Sequence, residues 1–240
     1  MILRRVIDHF RKQEWTAIAI DFVIVVVGVF VGLQVSNWNA ARADRALERI
    51  YVERLADDLR EDIRRIDWMI GIYETKQRVL LALREGPVAA VMAGDPKEAA
   101  RNLDYTEWKG VPGPRRAIYD ELIGSGNLTL LQNVDLRNAL ADYYSQYTRT
   151  TELLAESPGD YMRRFTESIP GDIPVENLEN ADAATIDRIV AGLEALRTEP
   201  GFEKSANSEM YYGRDLTNWL KIHREQATSL LSLLNEGGAS

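Results

Sequence analysis

The chain has 240 residues, a formal net charge of −8 from 29 Lys and Arg against 37 Asp and Glu, and no cysteine. The absence of cysteine excludes a disulfide framework, a Cys-based zinc site and thiol catalysis. The acidic balance, with no basic stripe carrying interleaved aromatics, argues against a nucleic-acid-binding surface.

The N-terminal segment, residues 1–14, carries Arg4, Arg5, Arg11 and Lys12. It leads into WTAIAIDFVIVVVGVFVGLQVSNW, bounded by Trp15 and Trp38. That stretch is long enough to cross a hydrocarbon core of about 30 Å with some tilt. Its two tryptophans stand where amphipathic rings favour the headgroup level. Strands average about 5–6 residues, so the valine-rich run is too long for a core strand. It also exceeds the apolar core of a signal peptide, about 7–15 residues, and no small-residue cleavage site follows. An uncleaved transmembrane helix over residues 15–38 is expected. The basic N-terminal segment places that end in the cytoplasm and the long C-terminal part outside. Arg42, Arg45, Arg49 and Arg54 on the far flank oppose this orientation.

At 100° per residue, Val25, Gly28, Gly32 and Asn39 fall within about 40° of Asp21, with Ser36 close by. Gly28-x-x-x-Gly32 is a small-x-x-x-small pattern that lets two helix backbones approach closely. Asp21 lies about 9 Å inside Trp15 along the axis. A carboxylate at that depth is costly and turns to protein or water. The face predicts packing against another transmembrane helix, from a second copy or a different subunit. Glycine is also simply common in membrane helices, and Asp21 suits the inner interface without a partner.

Residues 39–86 read as a charged amphipathic stalk helix. Leu47, Tyr51, Leu55, Leu59, Ile63, Ile66, Ile70, Tyr73, Gln77 and Leu80 recur in steps of three and four. Asp57, Asp58, Glu61 and Asp62, interleaved with Arg54, Arg60, Arg64 and Arg65, predict a salt-bridged, solvated face rather than a metal cluster. Gly86-Pro87 closes the helix.

Residues 87–240 predict a helical domain that packs with the stalk. Asp95-Pro96 opens a short helix to about Leu103, and residues 105–114 read as a loop. A helix over 114–123 ends at Gly124-Ser125-Gly126, and Leu128–Leu131 forms a brief turn. Asn133 caps a helix with Leu136, Leu140, Tyr143, Tyr144 and Tyr147 on its buried side. A short helix spans Tyr161–Ser168, and residues 169–180 are a loop. An amphipathic helix over 182–197 carries Ile186, Ile189, Val190, Leu193 and Leu196. The last helix, about 203–235, carries Met210, Leu216, Trp219, Leu220, Leu230, Leu231 and Leu234. The fold class is therefore all-α, an anchor and stalk with further helices in an irregular extramembrane bundle.

Gly32-Leu33-Gln34-Val35-Ser36-Asn37-Trp38-Asn39, the run Ala117–Leu128, Leu136-Arg137 and Tyr143-Tyr144 together resemble a family of bacterial single-pass membrane proteins. It is a domain-of-unknown-function family with a Leu-Gln-x-x-Asn-Trp-Asn exit from the membrane helix. Asp21 stands where glutamate is common in that family. The resemblance implies a bacterial inner-membrane location with a periplasmic domain, and it supplies no activity.

No catalytic, cofactor or metal constellation is legible. His9 and His223 are the only histidines, and no G-x-S-x-G elbow, phosphate loop, H-E-x-x-H or dinucleotide fingerprint occurs. Ser125 reads as part of a helix terminator. Tyr143, Tyr144, Tyr147, Tyr161, Tyr211, Tyr212 and Trp219 suit a core, or the lining of a ligand pocket. The expectation is a non-enzymatic membrane-anchored interaction protein, an accessory subunit of an envelope complex. A periplasmic ligand-sensing module is the alternative.

Overall fold

A computed structural model describes residues 15–93, 95–154, 159–169, 171 and 182–237. Among them the chain is all-α. In order come α1 (Trp15–Glu85), α2 (Val88–Val91), α3 (Pro96–Glu107), α4 (Ala117–Gly124), a 3₁₀ turn (Asn127–Leu130), α5 (Val134–Leu154), α6 (Asp160–Ser168), α7 (Ala183–Thr198) and α8 (Phe202–Gly237). The chain divides into two compact units, Met1–Tyr51 and Val52–Ser240. The expected cytoplasmic segment, residues 1–14, lies outside the described residues, as does most of the loop expected over 169–180.

The first unit contains the N-terminal part of α1. Every residue from Ile18 to Ala40 is exposed, including Phe22, Phe30, Leu33 and the valines between them. This is the one helix among the described residues long and apolar enough to cross a membrane.

The second unit is built on the remainder of α1. Leu55, Leu59, Ile66, Ile70, Tyr73 and Leu80 are buried, so the 3.6-residue period of the stalk does set its inward face. The antiparallel partner is α8, which buries Leu216, Leu220, Leu230 and Leu234. A Cβ added to Gly213 would lie 3.5 Å from the Tyr73 ring and 3.7 Å from Gln77 Cγ, so the two helices approach closely there. Lys221–Glu74 and Arg224–Asp67 bridge the same helices on the outside at 2.9 and 2.6 Å. A second core cluster joins Leu80, Leu83, Val88, Leu103, Phe165, Leu193, Leu196 and Phe202, gathering α2, α3, α6, α7 and the start of α8 around the end of α1.

Local chemistry explains most of the boundaries. Asp95 and Asp182 cap α3 and α7 by accepting from the Lys97 and Thr185 N–H groups. Asn133 accepts from Leu136 N at 3.1 Å to cap α5. Gly126 takes φ 74° after α4, a left-handed turn that glycine enters without Cβ strain.

Two boundaries and one side chain differ from expectation. Helix α3 runs on to Glu107 because Thr106 is buried, its hydroxyl donating to Leu103 O and accepting from Tyr161. Helix α4 starts at Ala117 rather than 114, since the Arg115 N–H is committed to Asp62 Oδ1 at 2.9 Å. Trp219, expected on the apolar side of α8, is 45% exposed, with its ring against His223.

Candidate functional site

In the first unit the six residues expected to form a packing face are exposed, as is the rest of the segment from Ile18 to Ala40. Asp21, Val25, Gly28, Gly32, Ser36 and Asn39 lie along one side of α1. A Cβ added to Gly28 or Gly32 would meet nothing within 4 Å, so the shallow strip the glycines create is open. Trp38, at the exit, is exposed and has the Arg42 guanidinium 6.0 Å from its ring centre. The Trp15 side chain lies outside the described residues.

The second unit contains buried polar groups that the sequence reading placed in solvent. The acidic run of α1 splits between two faces. Asp57 pairs with Arg60 at 2.7 Å and Glu61 pairs with Arg64, as expected of a solvated face. Asp58 and Asp62 point inward and are buried. Asp62 accepts from the Arg115 N–H and from the Tyr143 hydroxyl, each at 2.9 Å. Burial raises its carboxyl above the ordinary range, and those two donors work against the rise. Asp58 accepts from Arg115 Nε at 2.9 Å, while its Oδ2 has no partner among the described residues. Arg54 and Arg65 turn away from the acidic run, to Glu121 and to the Gly113 carbonyl.

An aromatic column continues from these carboxylates. Tyr119 stacks on Tyr144 with ring centres 4.4 Å apart, Tyr144 meets Tyr143 edge-on at 5.1 Å, and Tyr143 meets Tyr147 at 5.7 Å. Tyr147 stacks on His223 at 4.5 Å and 13°. His223 Nδ1 is 3.0 Å from Gln226 Oε1, within hydrogen-bond distance. Its Nε2, like the Tyr144 hydroxyl, is buried without a partner among the described residues. Burial holds His223 below its ordinary value of 6.5 and lifts the phenols of Tyr143, Tyr144 and Tyr147. Of the seven aromatic residues singled out in the sequence, Tyr143, Tyr144, Tyr147 and Tyr161 are core, whereas Tyr211 and Trp219 are exposed.

Further along, Lys76 and Glu209 form an ion pair with both side chains fully buried. Lys76 Nζ also donates to Trp108 O at 2.8 Å, and Tyr73 exchanges hydrogen bonds with the Gly110 backbone. Burial pulls Lys76 below the ordinary ammonium range, and the Glu209 carboxylate opposes that. Asp104 and Glu107, one turn apart on α3, are both raised by burial, and Glu107 further by the charge of Asp104.

A sequence signal existed for each missed group. Asp62 lies between Leu59 and Ile66, Lys76 between Tyr73 and Leu80, and His223 between Leu220 and Ala227, all at stripe spacing. Ser125 is held by the α4 terminus, its hydroxyl donating to Glu121 O at 2.7 Å. No group of three or more His, Cys, Asp or Glu among the described residues is arranged to hold a metal ion. Comparison with family models, curated proteins and solved structures finds no match to this chain.

Proposed function

We propose that this protein is a membrane-anchored helical interaction protein, an accessory or scaffolding subunit of a bacterial inner-membrane or envelope complex. In this reading α1 spans the bilayer with its N-terminus cytoplasmic and its helical domain in the periplasm. Asp21, Val25, Gly28, Gly32, Ser36 and Asn39 receive a transmembrane helix of another subunit or a second copy. The observation that carries the reading is the open strip at Gly28 and Gly32 beside Asp21. In hydrocarbon, helix association depends on such close backbone approach and on polar groups finding partners. Kinship with the family that shares the Leu-Gln-x-x-Asn-Trp-Asn exit belongs to the same proposal.

The test is mild detergent extraction from native membranes followed by native mass measurement. A second copy or a distinct subunit is expected on the chain, and Gly28→Leu with Gly32→Leu removes it. A monomeric, partner-free chain, unaltered by the two substitutions, overturns the reading.

A second reading, a ligand-sensing helical module, is favoured by the unpartnered buried atoms Asp58 Oδ2, Tyr144 Oη and His223 Nε2. A thermal shift of the full chain with a small polar metabolite, abolished by His223→Phe, supports it. A screen without any shift counts against it.

A further inference from the structure

We infer that the turns of α1 just beyond Trp38 form a binding collar for anionic phospholipid headgroups. Arg42, Arg45 and Arg49 are exposed, and at 100° per residue they lie with Trp38 inside about 60° of helix circumference. Asp44 and Glu48 lie about 160° and 120° from Arg42, while Glu48 stands one turn from Arg45, about 60° around the helix. None of the three arginines is in an ion pair with a carboxylate among the described residues.

Direction strengthens the placement. Side chains on a helix tilt towards its N-terminus, which here is the apolar segment. The Arg42 and Arg45 Cα atoms stand about 6 and 10 Å along the axis beyond Trp38. Their long side chains, leaning back, end at the headgroup layer, about 5–7 Å thick on each side of the hydrocarbon. The position of the Arg42 guanidinium against the Trp38 ring shows that backward reach. A planar guanidinium donates two parallel hydrogen bonds to one phosphate and carries the charge that a net-negative headgroup, unlike a zwitterionic one, leaves uncompensated. Arg49, about 16 Å out, acts through the surface field rather than by contact.

The inference rests on the membrane-spanning reading of α1, so its test separates the two. The full chain is reconstituted in vesicles of equal parts dioleoylphosphatidylglycerol and dioleoylphosphatidylcholine. Flotation after an alkaline wash reports insertion. Spin-labelled phosphatidylglycerol and phosphatidylcholine then report which lipid is held at the protein surface. The native chain is expected to prefer the anionic lipid. Arg42→Gln with Arg45→Gln, made with the N-terminal basic residues intact, is expected to reduce that preference by about fivefold or more. Arg42→Lys with Arg45→Lys is expected to keep most of it. An inserted chain without preference, or one whose preference survives the glutamine pair, overturns the collar. Failure to float overturns the spanning helix instead.

Discussion

Lys76 and Glu209 meet with both side chains at 0% exposure, and the second Glu209 oxygen has no partner among the described residues. Removing one member leaves the other charged in a dry site, whereas removing both does not. Lys76→Met is therefore expected to destabilise the chain by about 3–5 kcal/mol. Adding Glu209→Leu should restore most of that. Thermal unfolding of the detergent-solubilised chain, followed by circular dichroism, measures both. A double variant as unstable as the single one would show that the pair is needed for more than charge balance.

Asp62 depends on Tyr143 for one of its two donors. Tyr143→Phe keeps the ring contacts with Tyr144 and Tyr147 and deletes only the hydroxyl. The expected loss is about 1.5–3 kcal/mol, the range for a hydrogen bond to a charged group. Tyr144→Phe, whose hydroxyl is unpartnered, should cost far less. Equal losses for the two phenylalanine variants would contradict the assigned hydrogen bonds.

His223 gives stability a pH dependence of known sign. Its folded value is depressed, so below about 6.5 the unfolded chain takes up a proton that the folded chain refuses. The His223 contribution is complete above 6.5 and is lost as pH falls through the folded value. Asp62, Asp104 and Glu107 are raised, so they act in the opposite sense, favouring the folded chain as pH falls towards their ordinary values. Comparing melting temperatures of the native chain and His223→Phe between about pH 5 and 8 isolates the histidine. The difference should be flat above 6.5 and shift in favour of the variant below it.

Two helical glycines should respond to alanine with opposite signs. A Cβ on Gly71 meets nothing within 4 Å, so Gly71→Ala is expected to stabilise α1 by about 0.5–1 kcal/mol. A Cβ on Gly192 would collide with the Ser168 carbonyl, where α6 crosses α7. Gly192→Ala is expected to cost about 1–3 kcal/mol despite its better helix propensity. Chemical unfolding midpoints decide both.

The elements were legible because helix signals are local. Apolar spacing located α1, α5, α7 and α8, and Asp95 and Asn133 marked two starts. The polar interior was legible only as polar residues at stripe spacing, without their partners. Asp58, Asp62 and Lys76 sit among surface-like charges, and their partners Arg115, Tyr143 and Glu209 lie 57, 81 and 133 residues away. Stripe spacing sets Asp58, three residues after Leu55, apart from Asp57, but only the far partner accounts for a carboxylate being buried there. The face of α1 around Gly28 was legible as a pattern, since helical geometry alone generates it.

The spacing of Asp58 and Lys76 along α1 carries a last consequence. They are eighteen residues apart, about five turns, so both point to the same side. Each is fixed by a different part of the chain, Asp58 by Arg115 and Lys76 by Glu209. The intervening segment is thus a ruler clamped at both ends. One residue inserted between the clamps would wind its far end by about 100° and slide it about 1.5 Å, and both clamps could not hold. Insertions of about seven or eleven residues nearly restore the angle, but lengthen the span by about 10 or 16 Å. Side chains in that segment are free to drift wherever packing permits, while its length is not.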